Sequence, residues 1–185
     1  MHQLFVVDTG SLYTFGMLEY NMVVETTSGF TSSQLLAEEQ SLTLPSFGAN
    51  EGLEIGEIAK SLGVLRNLPI AIEVRLGDWI VYHVSLPGST PENDWWISRK
   101  ARTVMLKHHS TMYERVSAQE GSVDWHKENN LLNETHAIHG GGLPLITKNE
   151  GFVGVLLISG LPQVEDHLLG VEVLTEFLAR KGELL

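Results

Sequence analysis

The spacing of apolar residues changes several times beyond Ser32, and each change marks an element. From Ser32 to Leu42, Leu35, Leu36 and Leu42 fall on one side of a helix, with Glu38 and Glu39 inside it and Ser33 placed to cap it. Glu51–Leu62 repeats the helical pattern with Leu53, Ile55, Ile58 and Ala59. The period then drops to two: in Leu68–Val74, Ile70, Ile72 and Val74 alternate with Ala71 and Glu73. Gly77-Asp78 forms a tight turn, and Trp79–Val84 is the return strand. On that strand His83 alternates with Trp79 and Val81, which places it in the core.

Pro91 followed by Glu92, Asn93 and Asp94 opens a helix, its acids complementing the positive helix end. Ile97, Ala101, Val104 and Met105 carry the apolar stripe onward. His109-Ser110 ends this helix and caps a short one over Thr111–Ala118, and residues 119–135 are polar and irregular. Strands follow at Leu143–Thr147 and Phe152–Ser159, and a last helix runs from Pro162 to Arg180. Glu165 and Asp166 sit in its first turn, and Arg180 and Lys181 at its end, as the helix dipole favours. Strands joined by such short turns are antiparallel. The class is therefore α+β, with one sheet face packed on helices, and not a doubly wound nucleotide fold.

Residues 31–185 read as a single domain. Residues 1–30 differ, with short apolar fragments, no basic residue and no helical period. Phe5-Val6-Val7 and Met22-Val23-Val24 are candidate edge strands, but a loosely attached leader is the favoured reading, with Met17 and Met22 as alternative starts.

Charge narrows the functional classes. The chain has 12 basic and 23 acidic residues and a net charge of -11, which argues against generic nucleic-acid binding. It has no cysteine, so thiolate chemistry, disulfides and Cys-type zinc sites are excluded. The apolar runs are strand-sized, too short for a membrane span, and the N-terminus lacks the pattern of a signal peptide, so the expected address is the cytoplasm.

The chemistry centres on Glu134–Ile146, "ETHAIHGGGLPLI". His136 and His139 have an HxxH spacing, but three glycines and Pro144 argue against the helix that would bring both to one metal, and no third ligand forms a signature. A phosphate cradle precedes a helix, whereas these glycines precede a strand. The leading reading of Gly140-Gly141-Gly142 is a bulge or close backbone approach, which leaves His139 at a bend within reach of a ligand. Arg99, Lys100, Arg102 and Lys107 form a basic helix segment, with Arg99 and Arg102 on one face. It is either an anion clamp for ligand carboxylates or, as favoured, a solvated face or one salt-bridged to an acidic neighbouring subunit. Glu165-Asp166-His167 invites an acid–base reading, yet helix neighbours point apart, so the acids read more simply as dipole partners. Ser110 and Ser159 lie in no nucleophile elbow.

Four separated stretches, "NDWWISRK" (Asn93–Lys100) followed by "HHST", then "HGGG", then "ISGLPQVEDH", resemble the haem-degrading domain superfamily of HbpS-like and GlcG-like proteins, and within it an uncharacterised bacterial and fungal branch. The resemblance spans roughly Leu35 to Leu178. It implies a profilin-like antiparallel sheet with flanking helices, a three-layer α/β/α sandwich, and self-association, often as dimer-based rings. The positions it carries over include Arg99, Lys100, His109, Ser110, His139, Gly140, Gly141, Asp166 and His167 as ligand-binding candidates, with haem as a possible cofactor and no catalytic residue assigned. Arg99 and Lys100 are placed to pair with Asp166 or with ligand carboxylates. The expected function is a homo-oligomeric small-molecule binding protein for haem or a related tetrapyrrole or corrinoid. The alternatives are a multivalent adaptor for cytosolic protein partners, with "RKGELL" as an exposed tail, and a haem-degrading enzyme.

Overall fold

A computed structural model of the chain describes residues 27–182. Both candidate strands of the N-terminal extension, and the last three residues of the "RKGELL" tail, lie outside the described residues. The elements are α1 (Ser32–Ser41), α2 (Ala49–Leu65), β1 (Ala71–Leu76), β2 (Trp79–Ser85), α3 (Pro91–Lys107), α4 (Thr111–Glu120), the single turn α5 (Trp125–Glu128), β3 (Gly142–Thr147), β4 (Gly151–Ser159) and α6 (Gln163–Lys181). Among the described residues no helix is long and apolar enough to cross a membrane.

The four strands form one antiparallel sheet in the order β2-β1-β4-β3. Alternation along β1, β3 and β4 sorts the side chains onto two faces. Ile72, Val74, Leu143, Leu145, Leu156 and Ile158 share a core with Ile55 and Ile58 of α2 and Val173 and Phe177 of α6. Ala71, Val155 and Leu157 meet Ile97, Ala101 and Val104 of α3 on the other face. The result is the three-layer α/β/α sandwich with its profilin-like sheet. Pro144 is tolerated because β3 is an edge strand. Part of that edge is covered, since the Leu44 N–H donates to the Ile146 carbonyl at 2.8 Å.

Local chemistry fixes the helix starts. Thr31, not Ser33, caps α1, in a reciprocal capping box with Gln34. Thr90 and Asn93 form the same box ahead of α3, with Pro91 in its first turn. Ser110 caps α4, accepting from the Tyr113 N–H at 3.1 Å.

His83 is not in the core. The β1–β2 register slips between Val74 and Arg75, which pairs Val74 with Tyr82 and Arg75 with Ile80 and leaves Val81 as an extra residue. The bulge breaks the alternation on which the core placement rests. His83 is left exposed, with Nδ1 3.2 Å from Glu73 Oε2 and Nε2 3.5 Å from Asp94 Oδ1.

Candidate functional site

The three glycines bring the chain against a buried ion pair. Lys100, on the inner face of α3, places Nζ 2.9 Å from Asp166 Oδ2 in the first turn of α6 and donates to the Ile158 carbonyl at 2.8 Å. Asp166 also accepts the Leu161 N–H at 3.0 Å. Both side chains are buried. Burial pushes the Lys100 ammonium below its ordinary pKa and the Asp166 carboxyl above its own, while their mutual attraction opposes both shifts. Asp166 is thus more than a helix-dipole partner: it is the counter-ion of a buried lysine.

Gly141 crosses this pair at φ +104°, where a Cβ would lie 2.7 Å from Asp166 Cβ and 2.8 Å from Lys100 Nζ. The Gly141 carbonyl accepts from the Ile158 N–H at 2.8 Å, and the Gly142 N–H donates to Thr111 Oγ1 at 3.0 Å. Close backbone approach, the leading sequence reading, is what these glycines provide.

Beside the pair opens a cavity of about 350 Å³. One wall is the start of α3, with Glu92, Trp96 and Lys100; the other runs from Ser159-Gly160 into the first turn of α6, with Gln163 and Asp166. His139 lies between them. Its ring meets Trp96 edge-on at a centroid distance of 4.6 Å. Its Nδ1 is buried with no hydrogen-bond partner among the described residues. Burial, followed by the nearby charges of Arg115, Lys100 and Arg99, lowers its pKa to about 4. His139 is therefore a neutral imidazole at physiological pH, with one nitrogen able to donate and the other to accept or ligate.

A stability signature follows. The unfolded chain protonates His139 near the ordinary value of 6.5, whereas the folded chain resists until about 4. Between those values the unfolded state binds more protons, so stability falls as pH drops through that window. The urea midpoint of the wild type is expected to decline more steeply from pH 7 to pH 5 than that of His139→Gln. Equal slopes would mean that the imidazole is not held neutral.

The structure brings His139, Lys100, Asp166, Gly140 and Gly141 together and sends the other sequence candidates elsewhere. Arg99 is buried, its guanidinium lying over the rings of both Trp95 and Trp96 at 4.1 and 4.4 Å, and donates to the Asn133 carbonyl and side chain. Arg102 donates to the Thr135 carbonyl at 3.1 Å, and Lys107 to Asn129. Arg99 and Lys100 are thus buried rather than solvated, while Arg102 stays exposed. Arg99, Arg102 and Lys107 hold the 129–135 loop that leads into His139. His109 Nδ1 lies 2.7 Å from Glu39, and Glu39 also accepts the Ser110 N–H at 2.6 Å. His167 points away from Asp166 and meets Glu38 at 2.8 Å. Two adjacent acids of α1 thereby clamp α1 to α6 and to the α3–α4 junction. His136 is separate from His139, its Nδ1 2.9 Å from Thr135 Oγ1.

Trp96 and Gln163 lie inside the stretches that carry the family resemblance but outside the ligand-binding candidates read from the sequence. Gln163, whose side-chain oxygen accepts the Gly140 N–H at 3.3 Å, begins a helix without a side-chain cap. That missing cap was the readable signal.

A profilin-like α/β/α sandwich with a cavity between one helix and the start of another defines the structural class. The particular family follows from comparison: the model described as "Haem degrading protein HbpS-like" matches residues 47–175, and the chain belongs to that family. A UPF0303 protein of Streptomyces avermitilis is 37% identical over 150 residues, covering 81% of this chain and 92% of its own. The crystal structure of the Ybr137w protein superposes with a TM-score of 0.74 at 26% identity, covering 85% of this chain and 94% of that one. A PduOC:heme complex shares the fold at a TM-score of 0.57 and 14% identity, with 69% and 94% covered.

Proposed function

We propose that this chain is a cytoplasmic, self-associating small-molecule binding protein whose cavity takes a ligand of the haem or related tetrapyrrole class. The observation that carries the reading is His139, a neutral, half-buried imidazole with a buried, unpartnered nitrogen, set against Trp96 on the cavity wall. The volume lies at the lower end of the usual range for small-molecule sites. A neutral imidazole is the side chain that ligates haem iron in many haem proteins, and an indole offers a face to a planar ring. When bound, such a group would supply its own metal-centred chemistry, and this chain would contribute a nitrogen ligand and an aromatic wall. The family's description and the haem complex of a fold relative support the ligand class.

Self-association is supported by the outer edge of β2. Trp79 is 61% and Ile80 47% exposed there, on a strand with a neighbour on one side only. Native mass is expected to be a multiple of the 20.5 kDa chain.

A haemin titration followed by visible absorbance tests the ligand reading. The wild type is expected to give a saturable spectral shift, and His139→Ala to bind at least about tenfold more weakly. Unsaturable uptake, or equal affinity in the two proteins, would contradict it.

A further inference from the structure

We infer that the cavity recognises a carboxylate, received by Lys100 and Ser159 beside His139, with the organic body of the ligand lying on Trp96. The inference rests on the proposed reading of the cavity as a binding site and names the group it reads first.

An ammonium has three N–H donors. Lys100 spends one on the Ile158 carbonyl and one on Asp166, and the third has no partner among the described residues. Asp166, by contrast, has a donor on each carboxylate oxygen, Lys100 on Oδ2 and the Leu161 N–H on Oδ1. The negative member of the pair is satisfied internally while the positive member keeps a donor in reserve, and Lys100 lines the cavity although it is almost wholly buried. Ser159, also buried and on the facing wall, adds a hydroxyl. Around His139 the nearby charges are cationic: Arg99 and Lys100 of α3 and Arg115 of α4, with His126 of α5 as a further contributor. The acids that face the site are Asp166 of α6, already paired, and Glu92 at the start of α3. Glu92, about two turns before Lys100 on the same helix, would repel a carboxylate from the outer end of that wall and toward Lys100. The start of α6, without a side-chain cap, adds partial positive charge from the facing wall. A charge-assisted hydrogen bond to a carboxylate is stronger than one to a neutral amide of the same shape, and shape is held constant in the comparison of benzoate with benzamide.

The test uses the full chain and those two probes, followed by NMR of the lysine side chains and histidine rings. Benzoate is expected to bind saturably and at least about tenfold more tightly than benzamide, because a charged hydrogen-bond partner replaces a neutral one. It should move the Lys100 Nζ resonance and raise the His139 titration midpoint from about 4, since an added negative charge favours imidazolium. Ser159→Ala should weaken benzoate several-fold and leave benzamide unchanged. Equal binding of the two probes, or benzoate binding that leaves Lys100 and His139 unmoved, would overturn the inference. The Lys100 resonance is read in the wild type, so the result does not depend on a Lys100 variant folding. Haemin added to the same sample separates the two proposals. Saturable haemin without benzoate binding removes the carboxylate inference alone, and benzoate binding at Lys100 without haemin removes the tetrapyrrole reading alone.

Discussion

Gly141→Ala is expected to destabilise the protein by more than about 4 kcal/mol, in the tail of single-substitution effects where backbone strain and steric overlap add together. The residue adopts φ +104°, which side chains rarely tolerate, and the new methyl would collide with Asp166 Cβ and Lys100 Nζ, and still more closely with the Ile158 carbonyl oxygen. None of these can yield cheaply, because two belong to the buried pair and the third to the central sheet. Gly151→Ala is the control. It too has a positive φ, +73°, but nothing lies within 4 Å of its Cβ position, so the expected cost is the conformational one of about 1–2 kcal/mol. Urea denaturation of both variants measures the difference. Similar midpoints would mean that the approach to the ion pair is looser than the geometry requires.

Lys100→Met comes next in size. Removing the ammonium leaves the Asp166 carboxylate buried without its cation, a change that costs about 3–5 kcal/mol when one partner of a buried pair is lost. The sign of the pH dependence is definite. With Lys100 gone the folded-state pKa of Asp166 lies further above its unfolded value, so the folded state holds the proton more tightly. The penalty should shrink as pH is lowered through the folded pKa toward the unfolded carboxylate range. Lys100→Met/Asp166→Leu removes both charges and should recover most of the loss. A double variant no more stable than Lys100→Met would show that the pair's other hydrogen bonds, to Ile158 and Leu161, dominate.

The elements were legible because their signals are local. Pro91 with Glu92 and Asp94 opens α3, and the Ile70–Val74 alternation marks β1 and its flank. The triple glycine reported a close approach, although not what was being approached. The missing information was long-range. Lys100 and Asp166 are 66 residues apart, and Glu39 and His109 are 70 apart, so no window along the chain shows that either pair meets. Arg99 and Arg102 read as a charged face because the loop that takes their hydrogen bonds, near Asn133 and Thr135, has no periodicity of its own. His83 misled for a different reason: one extra residue in β2 reverses every inside–outside assignment beyond it. Within the candidate site, His139, Lys100 and Asp166 were identified, whereas the geometry that makes a cavity of them came only with the fold.

The central claim is that a ligand enters between α3 and the start of α6, against His139. Amide chemical-shift mapping with zinc protoporphyrin, a diamagnetic stand-in for haem, tests it most directly. The account predicts saturable shifts concentrated at Trp96, His139–Gly141 and Gly160–Gln163, abolished by His139→Ala. Shifts confined to the exposed Trp79–Ile80 edge, or scattered shifts that never saturate, would contradict it.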